Sequence, residues 1–428
     1  MTAHGDRLRE LRHHAGLTME QLAEASGVSV RTISDMERGH SRMPQPRTVA
    51  ALAAALGADP RGLAGLRPRR PHRHPGRAEP PRVTTGFVGR AAETEQILRH
   101  ATGPAPVVLL HGQPGIGKTA LAVHLAGRLP LPGGRVFLDL RGLDPVPMRP
   151  GEAARQLLSA LGVAPRRIAG TTGERCGQLR AELAGRRCLL ILDNAADEAQ
   201  VRPLLPGAGD GLILITSRRM LGGLDDVRRT GLGPLTPDES AALLAAVTDR
   251  ATGPAAARIA DLCGHLPLAL RIAGTRLATR PDWTAAHLAA RLADPARRLA
   301  LLSSGDTGVA AAIGHSHAQL SGEGRALFRR IAHLPGPGFA APSVAALTGA
   351  EPDDATDRLD ELVEIGLLET VGHDRYRMPD LIRLYAAERL HAEETAAARA
   401  ATRRRISAGR PAWSVAAEVG CIDVPAYG

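Results

Sequence analysis

Between Asp6 and Leu66 apolar residues recur at helical spacing. Leu8, Leu11 and Ala15 mark one face of a first helix, and Leu22 and Ala25 lie on a second. Thr18, with Gln21 three residues on, forms the capping-box pattern that opens that second helix, and Gly27 suits its end. Ser29 is placed to cap a third helix that turns Ile33 and Met36 inward and closes at Gly39. Val49, Leu52, Ala53 and Leu56 predict a fourth. The pattern predicts a small all-helical domain, with four or five helices, over residues 1–66. The period then disappears. Residues 67–85 are rich in Pro, Arg and His, which predicts an extended cationic linker with nothing to bury.

After Phe87 short apolar runs alternate with helical stretches, the mark of a parallel α/β sheet. Candidate strands are Val107–Leu110, Val136–Leu140, Leu189–Leu192 and Leu212–Thr216, and they set an α/β domain over residues 86–232. An Ala- and Leu-rich helical domain is expected over 233–306. Over 307–392, helices are followed by Leu367–Val371, a Gly372-His373-Asp374 turn and Arg375–Met378, which reads as a winged helix. Residues 393–428 carry no clear amphipathic period and are expected to be a loosely ordered tail. The predicted fold class is multidomain: an all-α unit, a parallel-sheet α/β domain, a helical domain and a winged helix.

Composition narrows the class. The 428 residues are 44% hydrophobic and only 2% aromatic, so the cores must rest on Leu, Ala, Val and Ile. A formal net charge of +10 suits a polyanionic partner. Cys176, Cys188, Cys263 and Cys421 form no CxxC pair, which argues against a zinc site or a disulfide framework and fits a reducing cytosol. With no apolar signal core and no run long enough to span a bilayer, the expected location is cytoplasmic, with no membrane partner. Of the 54 Lys and Arg residues, lysine occurs once, at position 118.

That lysine lies in Gly112-Gln113-Pro114-Gly115-Ile116-Gly117-Lys118-Thr119, a match to GxxxxGK[ST] preceded by a strand and followed by a helix carrying Leu121, Leu125 and Leu129. Here backbone N–H groups at Gly112, Gly115, Ile116 and Gly117 wrap phosphate oxygens and the helix N-terminus adds positive potential. Lys118 neutralises the β- and γ-phosphates, and the Thr119 hydroxyl binds Mg²⁺. Asp193 ends the apolar run Cys188–Leu192 and suits the Mg²⁺ shell beside such a loop. Thr119 and Asp193 are therefore the metal candidates.

From Phe87 to about Leu390 the chain resembles the NB-ARC module of STAND signalling ATPases, in the form found in actinobacterial pathway regulators. The likeness is carried, in order, by Phe87-Val88-Gly89-Arg90, the phosphate loop, Asp193, Thr216-Ser217-Arg218, Gly264-His265-Leu266-Pro267-Leu268 and Tyr376-Arg377-Met378-Pro379-Asp380. The resemblance implies that ATP or ADP binds with Mg²⁺ and that Val88 and Arg90 border base and ribose. It also implies that Pro267 packs on adenine, that Arg218 senses the γ-phosphate as a catalytic residue beside Asp193, and that Asp380 belongs to the nucleotide site. Two departures bear on chemistry. Asn194 stands where the family often has a second carboxylate, so at most slow hydrolysis is expected. Pro379 replaces the histidine that reaches the nucleotide's β-phosphate, and suits the start of the helix through Leu384.

The stretch from Gly16 to Gly39 resembles the Xre-type helix-turn-helix family, with Met19 where a glutamine is usual. The resemblance implies that the third helix enters the major groove, with Ser29, Arg31, Thr32, Ser34 and Asp35 facing base edges and Arg38 meeting phosphate. The Arg67–Arg82 stretch is expected to track the phosphate backbone. His13-His14, His72, His74 and the Arg403-Arg404-Arg405 run read as solvated.

The expected function is a nucleotide-switched transcription regulator with a double-stranded DNA operator as partner. By resemblance, ADP holds a closed form, and ATP opens it and promotes self-association. No sensing repeat follows Leu390, which leaves two expectations: a partner protein supplies the signal, or the chain is a truncated relative that has lost its sensor. Two other readings stand beside this one: a signalling or defence ATPase, and a plain DNA-binding repressor whose nucleotide domain is only a scaffold.

Overall fold

Thr18 closes a full capping box in the structure: Gln21 N donates to Thr18 Oγ1 at 3.2 Å, and Thr18 N donates to Gln21 Oε1 at 2.9 Å. This fixes the entry to the second of the four N-terminal helices found among the described residues, α1 (Ala3–His14), α2 (Met19–Ser26), α3 (Val30–Glu37) and α4 (Pro46–Ala55). The computed structural model describes residues 3–37, 46–57, 80–81, 86–100, 106–129, 131–207, 209–250, 253–305, 307–336, 338–372 and 374–408. They fall into two units, Met1–Pro75 and Gly76–Gly428. Gly39 and, apart from Pro80 and Pro81, the 67–85 stretch lie outside the described residues.

The first unit buries Leu8, Leu22, Ile33, Met36, Leu52 and Ala53, with Leu11, Leu17, Ala23 and Leu56 against them. Ala15 and Ala25, expected on inward faces, are exposed. Helix α1 ends at His14, before Ala15, and the α2 face is turned so that Ala23 packs instead. Beneath this small core lies an ion pair that hydrophobic periodicity does not reveal. Arg12 Nε and a terminal nitrogen reach the two carboxylate oxygens of Glu37 at 2.7 and 3.0 Å, and Arg12 also donates to Leu17 O at 3.0 Å. Both side chains are under a tenth exposed, so the pair fixes α3 against α1. Hydrogen bonding to Glu37 raises the Arg12 pKa further.

The second unit is built on five parallel strands, β1 (Val107–His111), β2 (Arg135–Asp139), β3 (Leu189–Ala195), β4 (Leu212–Ser217) and β5 (Val227–Gly231), in the order β2-β3-β4-β1-β5. The central strands read as unbroken apolar runs because both sheet faces are covered. Val108, Leu110, Leu189, Ile191, Leu212 and Leu214 face one core, and Val107, Leu109, Leu190, Leu192, Ile213 and Ile215 face the other. The helix Lys118–Arg128 packs on the first face, and helices Pro150–Ala160 and Thr172–Ala184 on the second. The first core continues without a break through the helices between Pro237 and Leu301 into the winged helix.

The four expected strands are present. β5 was missed because Arg228 and Arg229 interrupt its apolar signal, which an edge strand tolerates. After a two-residue pair, β6 (Ser303–Ser304) and β7 (Thr307–Gly308), the wing has three strands: β8 (Gly338–Ala340), β9 (Glu369–Gly372) and β10 (Arg375–Arg377), in the order β8-β10-β9. β8 is too short to carry a pattern. It is held by Phe339 stacking on Tyr376, with ring centroids 6.3 Å apart.

The 393–428 region requires a correction. A helix, Ala396–Ala408, packs on helix Ala341–Thr348, with Thr402 buried and Ile406 against the core. Just before it, Glu393 and Glu394 pair with Arg329 and Arg330 at 2.7 and 3.0 Å. Polar and small residues do the anchoring, so no apolar stripe announces the helix. Residues 409–428 lie outside the described residues.

Candidate functional site

At the carboxyl end of β1 the chain passes through Gly112 (φ +142°), Gly115 (+78°) and Gly117 (+94°) before entering helix Lys118–Arg128. At Gly112 a Cβ would lie 2.6 Å from the Leu232 carbonyl oxygen, so only glycine lets the loop run there. Gly117 is the N-cap and brings no side-chain acceptor, which leaves the first amides of the helix to an outside group. Lys118 Nζ donates to Gly112 O at 2.8 Å and Gln113 O at 3.1 Å. Burial first, and then the charge of Arg218, pulls its pKa down to about 7, while Asp193 opposes this.

Asp193 is 8% exposed, and its Oδ1 accepts from Thr119 Oγ1 at 2.7 Å and Thr216 Oγ1 at 2.6 Å. Thr216 Oγ1 in turn accepts from Asn194 N at 2.9 Å. Burial raises the Asp193 pKa against these hydrogen bonds. The structure thus joins the two predicted metal candidates directly and adds Thr216 to them. Among the described residues no group of three or more His, Cys, Asp or Glu is spaced to hold a metal. A Mg²⁺ here would draw on Thr119 and Asp193 and take its remaining ligands from phosphate and water, as Mg²⁺ sites of this kind do. Asn194 sits at φ +57°, with its amide donating to Asp139 Oδ1 at 3.3 Å.

Arg218 follows β4, with its guanidinium donating to Ala312 O at 2.9 Å and to Ser316 Oγ. Burial lowers its pKa to about 10. Arg90, at φ +64°, is buried and fully engaged: its side chain bonds Glu93, Gly233 O and Ile116 O, and its backbone N–H donates to Glu239 Oε1 at 2.7 Å. It ties the incoming segment to the phosphate loop. Glu239, which the sequence reading did not single out, also completes a capping box with Thr236. Its signal was the Thr-x-x-Glu spacing, but its reach to Arg90 is long-range. Val88 packs against the core, and neighbouring Phe87 stacks on His124 at 4.0 Å.

Pro267 begins helix Pro267–Ala278 beside Gly117, and Leu268 N donates to Gly115 O at 3.2 Å, so this turn lies against the phosphate loop. Asp380 is exposed in the first turn of helix Asp380–Glu393 and acts on Arg298 and Arg383. None of its described contacts reaches the loop. Pro379 is the N-cap of that helix.

In the first unit Ser29 Oγ accepts from Thr32 N at 3.2 Å and lies 2.8 Å from Thr32 Oγ1, so both hydroxyls are engaged in capping. Ser29 and Arg31 are exposed, whereas Thr32, Ser34 and Asp35 are half-buried. Val30, 38% exposed at the start of α3, was not among the expected contacts. Arg38 lies outside the described residues.

Residues 4–66 match the family model described as a helix-turn-helix domain. The chain is 38% identical over 324 residues to regulatory protein AfsR of Streptomyces coelicolor, and 39% identical over 319 residues to AfsR of Streptomyces griseus. Each alignment covers 72% of this chain and 33% of the relative, so the chain spans about a third of the length of these proteins. A Walker-type ATPase of Pyrococcus abyssi shares the fold, with 14% identity and a TM-score of 0.51 over 72% of this chain and 98% of that one. The protein joins a helix-turn-helix unit to an α/β module that carries a GxxxxGK[ST] loop and shares the fold of that ATPase. Within that class it is similar to the AfsR regulators. Among the described residues no helix is long and apolar enough to cross a membrane.

Proposed function

We propose that the chain is an ATP- and ADP-switched, DNA-binding transcriptional regulator. The observation that carries this reading is the Thr119–Asp193–Thr216 cluster beside Lys118 at the end of β1, in a chain that begins with a helix-turn-helix unit. Lys118 and the amides that open its helix would bind the β- and γ-phosphates. Thr119 and Asp193 would hold Mg²⁺, and Arg218 would meet the γ-phosphate. Pro267 and Val88 are the proposed neighbours of the base. Arg90 acts by bracing the loop rather than by touching the ribose, and Asp380 belongs to the switch through Arg298 and Arg383. Asn194, turned toward Asp139, offers no general base, which favours a switch over rapid turnover.

The exposed start of α3 is the proposed DNA-reading surface, with Arg31 at a base edge. The names of the AfsR relatives support regulation as the output. Operator binding is proposed to strengthen on self-association, because two half-sites are read together.

Calorimetry of ATP and ADP binding to the intact chain tests the site. Lys118→Ala should abolish binding of both, since no other lysine exists to supply a compact charge. Unchanged affinity in that variant refutes the assignment.

A further inference from the structure

Helix α3 begins with two residues that the helix itself disfavours. Ser29 caps it: Ser29 O accepts from Ile33 N at 3.1 Å, and Ser29 Oγ accepts from Thr32 N at 3.2 Å. Val30 and Arg31 then open the first turn, and both are exposed. A β-branched residue is a weak helix former, and a cation at a helix N-terminus meets the positive end of the helix dipole. The first turn of α3 carries no acidic residue, whereas that of α2 carries Glu20. Nor does the fold make use of Val30. The core of the first unit takes Ile33 and Met36 from α3 and packs Val28 against them, and it leaves Val30 outside.

At about 100° per residue, Arg31 stands opposite the side of α3 that carries Ile33 and Met36, and Val30 flanks it. The buried Arg12–Glu37 pair holds the other end of α3 on α1, so a fixed helix presents these two side chains. The neighbouring hydroxyls are engaged with one another, Ser29 Oγ lying 2.8 Å from Thr32 Oγ1. The start of α3 therefore offers a duplex one cation and one apolar surface. In the major groove every base edge presents hydrogen-bonding groups, and thymine alone adds an apolar one, its 5-methyl. A valine set against any other edge would desolvate polar atoms and return no hydrogen bond. Against thymine it covers a methyl group with methyl groups.

We propose that Val30 is a specificity-determining residue for thymine: its γ-methyl groups meet the 5-methyl of a thymine in the operator, beside the base that Arg31 meets. The proposal rests on the DNA-reading role of α3 given above. It departs from a solvated valine in one consequence. Uracil, which pairs as thymine does but has no methyl, should not replace thymine at that position without loss.

The test uses the intact protein and a duplex that it selects from a randomised pool. Each thymine is replaced in turn by deoxyuridine, and affinity is read by fluorescence anisotropy. In the wild type one thymine in each half-site should be sensitive, with binding weakened about three- to fivefold, the scale of one methyl group taken out of water. Val30→Ala should erase that difference, and Val30→Ile should keep it. Arg31→Ala should also keep it, while relaxing the preference at the neighbouring base. Because Val30 lies outside the core, Val30→Ala should fold, which an unchanged denaturation midpoint verifies. If no thymine of the selected duplex is sensitive, or if Val30→Ala remains as sensitive as the wild type, Val30 does not read thymine and the DNA-reading role of α3 still stands. If the intact protein selects no sequence from the pool, that role fails and the thymine assignment fails with it.

Discussion

Asp193 shows how much of the site is local chemistry and how much is packing. Its position after an apolar strand, with GxxxxGK[ST] upstream, is a linear pattern and was legible in the sequence. The Thr216 hydroxyl that holds it comes from a neighbouring strand and was not. β3 and β4 must pair in register before Thr216 can bridge Asp193 and Asn194 N. Thr216→Val keeps the shape but removes both hydrogen bonds at a buried position. It should cost about 1–3 kcal/mol of stability and weaken Mg²⁺-dependent nucleotide binding more than Mg²⁺-free binding. Chemical denaturation and calorimetry with and without Mg²⁺ check this, and an unaltered Mg²⁺ dependence removes Thr216 from the site. Ser29 and Thr32 show the opposite limit. The helix-turn-helix resemblance placed them at base edges, but their hydroxyls are used by the cap of α3, while Val30 stands exposed beside them.

At the scale of elements, legibility follows burial on two faces. β1, β3 and β4 are covered on both sides and read as apolar runs, and β2, on the other edge, still shows Val136, Phe137 and Leu138 in a row. β5, on an edge, carries Arg228 and Arg229, and β8 has only three residues. The helix Ala396–Ala408 is seated through Thr402, Ile406 and the acidic residues before it, a mode that hydrophobic period cannot register.

The same winged-helix packing encloses His317 between Phe328 and Tyr385, with ring centroids 5.3 and 5.8 Å away and Nε2 buried without a partner. Burial, aided by Arg329, Arg325 and Arg389 and opposed by Glu393, holds its pKa below 6.5. His333 is lowered as well, again first by burial. A histidine whose folded pKa is depressed binds its proton more readily in the unfolded chain. Stability is therefore full above 6.5 and falls as pH drops below it, until the folded pKa is passed. Thermal melts from pH 7.5 downward should show this loss, and His317→Phe should reduce the slope. An unchanged slope in that variant assigns the pH dependence elsewhere.

For the whole molecule, base reading and charge are separable. Arg31→Ala in the intact chain should relax preference at one base position by about 1–3 kcal/mol if it meets a guanine edge. Neutralising the arginines of the 67–82 stretch should weaken all duplexes alike and flatten the salt dependence. Competition binding on selected and random duplexes distinguishes the two, and a uniform loss from Arg31→Ala would make it a phosphate contact. The fold classes of both units were visible in the sequence because each rests on local periodicity. The continuity of one core from the sheet to the winged helix, and the turn that presses Gly366 on Gln113, arise only when distant segments pack.

The most direct measurement is the affinity of the intact protein for its selected duplex, read by fluorescence anisotropy with Mg²⁺·ATPγS and again with ADP. A nucleotide-switched regulator should bind at least about tenfold more tightly with the triphosphate, and Lys118→Ala should erase the difference. Equal affinities in the wild type, with nucleotide binding verified in the same samples, would contradict the switch.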